Sequence, residues 1–130
     1  MIALSPTRRS VPRSNPLACP PKPALDRRVL LSKPEARRLV GVFKVLANDT
    51  RLRLLHALVR EGELCVNDLA AALRMKPQAI SNQLQRLAAE QIVAARRETN
   101  QVIYRIIDPC VTELLDRGWC LAEDAEARQP

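Results

Sequence analysis

Lys76-Pro77-Gln78-Ala79-Ile80-Ser81-Asn82-Gln83-Leu84-Gln85-Arg86-Leu87-Ala88-Ala89-Glu90 is the stretch whose reading decides the fold. Ile80, Leu84 and Leu87 recur at i, i+4, i+7 and form an apolar stripe, as a helix with one buried face requires. Gln78, Ser81, Asn82 and Gln85 recur at i, i+3, i+4, i+7 and form a second stripe of uncharged hydrogen-bonding groups. Pro77 suits the first helical turn, where its missing N–H has no partner to lose. A solvated helix face ordinarily carries Lys and Glu. Amides and a hydroxyl flanked by Lys76 and Arg86 fit a helix lying in a DNA major groove instead. Asn and Gln pair bidentately with adenine, Ser bonds to several bases, and the cations meet phosphate.

Upstream, Val66, Leu69, Ala70 and Leu73 mark a short helix over about 66–73. Arg74-Met75-Lys76 is a tight connection, so the two helices form a helix-turn-helix. Downstream, 92–97 and 102–107 read as two strands joined by Glu98-Thr99-Asn100-Gln101, with Asn100 best able to take a positive φ. This hairpin carries Arg96, Arg97 and Arg105 and reads as a wing whose cations reach DNA backbone or minor groove.

The flanks complete the domain. Ser32 is an N-cap, with Pro34 and Glu35 in the first turn of a helix running to about Ala47. Leu39, Val42, Phe43 and Leu46 share its apolar face. A second helix, about 50–61, buries Leu54, Leu55 and Leu58 and stops at Gly62. His56 lies on it and is expected in the core. Asp108 caps a last helix, with Pro109 at its first position. Val111, Leu114, Leu115, Gly118 and Ala122 make a long stripe there, with Trp119 beside it, and suggest a dimer interface. The fold class is mainly α with a small β-hairpin, in the order α-α-α-α-β-β-α. Residues 1–32 read as a disordered basic arm, since seven of the ten prolines lie in 1–34. Residues 33–123 form the winged helix-turn-helix domain, and 124–130 a frayed tail.

Charge is distributed unevenly along these segments. The chain carries a formal +7. Residues 108–130 hold two basic and six acidic groups, so −4, and everything before them is basic. A basic body points to a polyanionic partner. With three aromatics, Phe43, Tyr104 and Trp119, base-stacking single-strand binding is disfavoured. One histidine, three glycines and no phosphate loop argue against an enzyme. No apolar run reaches membrane length, and the expected location is the cytoplasm. In that compartment Cys19, Cys65, Cys110 and Cys120 are expected as thiols or metal ligands rather than structural disulfides.

The segments F-K-V-L-A-N-D-T-R-L-R-L-L-H-A-L, E-L-C-V-N-D-L-A-A-A-L, I-S-N-Q-L-Q-R-L and V-I-Y-R-I, in this order over about 40–120, resemble the ArsR/SmtB family of bacterial metal-sensing repressors. The resemblance implies a homodimer paired through its first and last helices, bound to a palindromic operator and released when an inducer binds. It places the 77–90 helix in the major groove. The chain departs from the family pattern at its sensor sites. Where one family site has C-V-C-D-L, this chain has Cys65-Val66-Asn67-Asp68-Leu69, and Cys19 lies about where the family's arm cysteines occur. Where another has Asp-x-His, this chain has Asp108-Pro109-Cys110, followed later by Cys120, Leu121, Glu123 and Asp124. The wing tip has Asn100 in place of the usual Gly.

Cys110 and Cys120 are ten residues apart, which on one helix means about 15 Å along the axis and about 80° from a common face. They cannot share an ion within one chain, but antiparallel pairing across a two-fold can bring Cys110 of one protomer near Cys120 of the other. Cys65 with Cys19 is the other pairing. Two thiolates suit Hg(II), three suit As(III) or Pb(II), four suit Cd(II) or Zn(II), and Asp108 can complete a harder site. The expected function is therefore a repressor released by a soft, thiophilic metal ion. A thiol redox or persulfide switch on the same fold, and a DNA-binding regulator without an inducer, remain as alternatives.

Overall fold

The structure is a computed structural model that describes residues 21–129; the expected disorder of 1–20, and Cys19 with it, lies outside the described residues. Pro21–Ile106 form one compact unit, and the segment from Ile107 belongs to another. The first unit holds α1 (Lys33–Leu46), α2 (Asp49–Glu61), β1 (Leu64–Cys65), α3 (Val66–Leu73), α4 (Pro77–Ala89), β2 (Val93–Glu98) and β3 (Gln101–Ile106). The second holds α5 (Pro109–Ala127). The class is a winged helix-turn-helix of mixed α and β structure, as the periodicities imply.

α1, α2 and α5 start where a side chain takes an orphan backbone donor, whereas the N-caps of α3 and α4, Cys65 and Lys76, make no such bond. Ser32 accepts from the Glu35 N–H at 3.2 Å while Glu35 Oε1 accepts from the Ser32 N–H at 2.9 Å, a complete capping box. That box holds the Glu35 carboxyl below its usual range, chiefly through the bond from the Ser32 backbone. Asn48 accepts from the Arg51 N–H at 3.0 Å, and Asp108 from the Cys110 N–H at 2.9 Å. Ahead of α1, residues 21–32 are exposed and contain one 3₁₀ turn, Leu25–Arg27.

The core of the first unit is built from leucine. Leu54, Leu55, Leu58, Leu69, Ile80, Leu84, Leu87 and Val93 are fully buried, and Leu73, Ile92 and Tyr104 nearly so. The stripe expected on α4 is thus the buried one. α1 contributes only Leu46, while Leu39, Val42 and Phe43 stay exposed. His56 is exposed rather than in the core: it follows Leu54 and Leu55 on α2, and the 100° step per residue carries it round to the solvent side.

α3 and α4 pack on each other, and both end in the same way. At the end of α3 the Met75 N–H reaches the Ala70 carbonyl at 3.0 Å and the Arg74 N–H reaches Ala71 at 3.3 Å. At the end of α4 the Ile92 N–H reaches Leu87 at 2.9 Å and the Gln91 N–H reaches Ala88 at 3.0 Å. These are Schellman closures, which put one residue in the left-handed region. That residue is Arg74 (φ 57°) in one case and Gln91 (φ 64°) in the other, where glycine is the usual choice.

The sheet has three strands in the order β1-β3-β2, one more than the hairpin expected from sequence. β1 is too short to show a period of two; Leu64 pairs with Tyr104 and Cys65 with Ile103. The wing strands pair antiparallel from Val93↔Ile106 to Glu98↔Gln101, leaving a two-residue turn, Thr99-Asn100. The expected four-residue turn is therefore shorter, and the residue at positive φ is Thr99 (φ 56°), not Asn100. A two-residue hairpin matches strand twist only with positive φ at its first central position, and that position falls on Thr99. α5 continues to Ala127, past the expected start of a frayed tail at 124, with the Arg128 N–H bonded to Asp124 at 3.1 Å.

A side chain other than glycine in the left-handed region costs about 1–3 kcal/mol. Gln91→Gly and Thr99→Gly are each expected to raise the free energy of unfolding by about 1 kcal/mol in urea denaturation. An unchanged or lower midpoint in both would remove the strain account of these turns.

Candidate nucleic-acid interface and cysteine sites

Burying Ile80, Leu84 and Leu87 forces the opposite side of α4 outward. Gln78, Asn82, Gln85 and Arg86 are exposed, Ser81 is half-buried, and Lys76 stands exposed at the N-cap. The Gln78 amide donates to Asn82 Oδ1 at 3.0 Å, one helical turn away. This bond pre-orders two of the four polar groups before any partner arrives. The helix N-terminus beneath them adds partial positive charge from its free N–H groups. The stripe is chemically able to read base edges, and Lys76 and Arg86 beside it can meet phosphate.

The three wing arginines have different surroundings. Arg96 Nη1 contacts Glu63 Oε2 at 2.8 Å, and Nη2 contacts Glu98 at 3.4 Å. The Glu63 carboxylate raises the Arg96 pKa above its ordinary value and holds the guanidinium in place. Arg96 therefore ties the wing to the residue just before β1. Arg97 and Arg105 have no ion pair among the described residues. By register Arg97 lies opposite Val102 and Arg105 opposite Ala94, so they point from opposite faces of the ribbon.

The cysteines fall into three environments. Cys65 is buried, a free thiol at the N-cap of α3 with no side-chain capping bond. Cys120 is an exposed free thiol whose Sγ lies 3.8 Å from Asp124 Oδ2 on the next turn of α5. Cys110 is disulfide-bonded, a correction to the expectation of thiols throughout. Among the described residues no three His, Cys, Asp or Glu side chains converge on a point where an ion could sit. Cys65, Cys110, Cys120 and Asp108, the metal ligands expected from sequence, are not gathered into one site within a single chain among the described residues. Two residues joined across the fold, Arg51 and Gln83, carried no signal in the sequence. Arg51 donates from Nε to Gln83 Oε1 at 2.9 Å and from Nη1 to the Val45 carbonyl at 2.7 Å. A contact 32 residues apart leaves no local signal.

Residues 48–95 match the model of the arsR family of bacterial regulatory proteins. A crystal structure of the AntR antimony-specific transcriptional repressor is 60% identical with a TM-score of 0.71, over 85% of this chain and 100% of that one. The chain belongs to the arsR family. The transcriptional repressor SmtB homologue of Synechocystis is 40% identical over 85 residues, 65% of this chain and 64% of its own. A solution structure from Mycobacterium bovis, described as a homodimeric winged helix-turn-helix DNA-binding domain, is 31% identical with a TM-score of 0.65, over 78% of this chain and 96% of that one. The chain spans 64% of the length of that SmtB homologue and 51% of the length of the arsenic resistance transcriptional regulator ArsR1 of Pseudomonas putida. These arsR-family relatives are transcriptional regulators, not enzymes. Among the described residues no helix is long and apolar enough to cross a membrane.

The difference in cysteine exposure has a direct chemical readout. In native, non-reduced protein, iodoacetamide is expected to label Cys120 ahead of Cys65, which reacts only after denaturant is added. Peptide mass spectrometry would detect this, and fast native labelling of Cys65 would contradict its burial.

Proposed function

We propose that this chain is a DNA-binding transcriptional repressor that works as a homodimer and leaves its operator when a soft, thiophilic ion binds cysteine thiolates. The observation that carries the DNA reading is the exposed, uncharged stripe of Gln78, Ser81, Asn82 and Gln85 on a helix whose other side is core. Lys76, Arg86, Arg97 and Arg105 supply phosphate contacts around it. Arg96 acts mainly by fixing the wing.

The dimer reading rests on apolar surface left uncovered. Val40, Phe43 and their neighbours on α1 are about half exposed, at 48% each, and Trp119 and Leu121 on α5 are 66% and 64% exposed. Soluble monomers rarely leave such faces open, and a two-fold partner covers them with the same surface. The Mycobacterium bovis homologue, a homodimer by its description, supports this reading.

For the inducer, sulfur is the donor that this chain offers. The likeness to an antimony-specific repressor supports a trivalent semimetal, and As(III) shares its preference for three thiolates. Hg(II), Cd(II), Pb(II) and Zn(II) are the other ions that the cysteine number allows. No three candidate ligands converge among the described residues, so the ligands come together across the dimer or with Cys19. Cys65 with Cys19, and Cys110 with Cys120 of the partner, are the two pairings; Asp108 is the added oxygen donor. The ion supplies bonds between protomers that favour one angle between the two wings. A coupling of about 1–3 kcal/mol is typical of such linked sites, and near-complete release needs about 5.5 kcal/mol.

The disulfide at Cys110 favours a second reading, in which oxidation rather than an ion changes the dimer. The same experiment separates the two. Reduced protein is bound to a duplex that it selects from a random library. It is then titrated with Sb(III), As(III), Hg(II), Cd(II), Pb(II) and Zn(II) in turn, alongside a variant with all four cysteines changed to Ser. Release of at least tenfold by one ion, absent in the Ser variant, is the expected result. Release only by oxidant assigns the switch to sulfur redox chemistry, and equal release from the Ser variant ends the thiolate reading.

Two substitutions check the other parts. Phe43→Asp is expected to convert the dimer to a monomer in sedimentation velocity and to abolish binding to the selected duplex. Arg97→Ala is expected to lower affinity on every sequence alike and to reduce the slope of log affinity against log salt by about 1. A full slope in Arg97→Ala would take that residue out of the phosphate contacts.

A further inference from the structure

Arg51 occupies a junction that the proposed reading does not use. It sits in the first turn of α2, where Asn48 fixes its backbone N–H at 3.0 Å. Its guanidinium then reaches in two directions. Nη1 donates at 2.7 Å to the carbonyl of Val45, one of the carbonyls that the end of α1 leaves without a helical partner. Nε donates at 2.9 Å to Oε1 of Gln83 on α4. Both side chains are partly buried, which strengthens the bonds over exposed ones. The guanidinium borders an open depression of about 210 Å³, lined also by Val45, Arg86, Ala89 and Glu90. On that edge, directed bonds rather than close packing set the position.

Gln83 stands on the flank of α4, between the buried stripe of Ile80, Leu84 and Leu87 and the exposed polar stripe. A bond there resists rotation of α4 about its own axis. The apolar stripe alone resists it weakly, because leucine contacts are non-directional. A rotation of about 10° displaces a side-chain tip 5–6 Å from the axis by about 1 Å. The window for a good hydrogen bond is narrower than that, about 2.7–3.2 Å. A helix that reads bases therefore needs its rotation fixed, and the planar fork of arginine is suited to hold two acceptors at once.

We infer that Arg51 is a positioning residue: through Gln83 it sets the rotation of the base-reading helix α4, and through Val45 it ties that setting to the last turn of α1. This rests on the DNA-binding reading and deepens it. α1 carries the exposed apolar face assigned to the dimer, so a shift of α1 at the interface reaches the polar stripe of α4 through one side chain.

The readout that tests this is discrimination: affinity for the duplex selected by wild type divided by affinity for a scrambled duplex of the same length and salt. Loss of a cation lowers both affinities together, so the ratio isolates positioning from charge. Gln83→Leu is expected to cut the ratio about tenfold, the worth of one good base contact, with an unchanged unfolding midpoint. Gln83→Glu, which still accepts from Arg51, is expected to keep it. Arg51→Met is expected to match Gln83→Leu, and the double variant to lose no more than either alone. If Arg51→Met fails to fold, the Gln83 pair carries the test.

A ratio preserved in Gln83→Leu, or lost equally in Gln83→Glu, overturns the inference. So does a double variant whose losses add. A wild type that selects no duplex at all overturns the repressor reading and this inference with it. Selection by wild type with an undiminished ratio in the variants overturns this inference alone.

Discussion

The structure depends on the burial of one stripe, Ile80, Leu84 and Leu87, against the leucine core. Each such residue contributes about 1.5–3 kcal/mol when taken out of water, so the stripe fixes which side of α4 faces in. The helical period then leaves no choice about the other side. Gln78, Asn82 and Gln85 are presented to solvent because their spacing matches the buried set with a half-turn offset. The polar stripe proposed for recognition is thus a by-product of packing, and the rest of the domain holds that helix still. The Schellman closures at Arg74 and Gln91 end the two helices of the motif, and the Arg96–Glu63 pair anchors the adjacent ribbon.

What the sequence made legible followed from local rules. Periodicity located the helices, and capping residues located the starts of α1, α2 and α5, because both act within four residues. The helix-turn-helix and the wing followed, as did the family. Features set by long-range pairing were not legible. β1 exists only because Leu64 and Cys65 meet the far strand of the ribbon, about forty residues later in the chain. The wing turn shifted from Asn100 to Thr99 because strand register, not residue preference, decides which position takes the left-handed backbone. Neither the ion pair of Arg96 with Glu63 nor the bond from Arg51 to Gln83 is local, and neither was legible.

The candidate sensor shows the same division. Cysteine count and spacing excluded a shared ion for Cys110 and Cys120 on one helix, and α5 is indeed one continuous helix across both. Sequence could not say that Cys65 would be buried at the start of α3 while Cys120 stood open to solvent. Those two thiols differ in access and in the charges beside them, so they are not interchangeable as ligands. The proposed division of labour between protomers follows from that difference, since among the described residues one chain alone does not assemble three donors.

The strand order β1-β3-β2 leaves β2 as an open edge, with a row of backbone groups that another strand could join. Sheets with such edges tend to zip onto one another unless charge prevents it. Arg96, Arg97 and Glu98 stand in succession on that edge. On that side the wing is therefore guarded against strand-to-strand association.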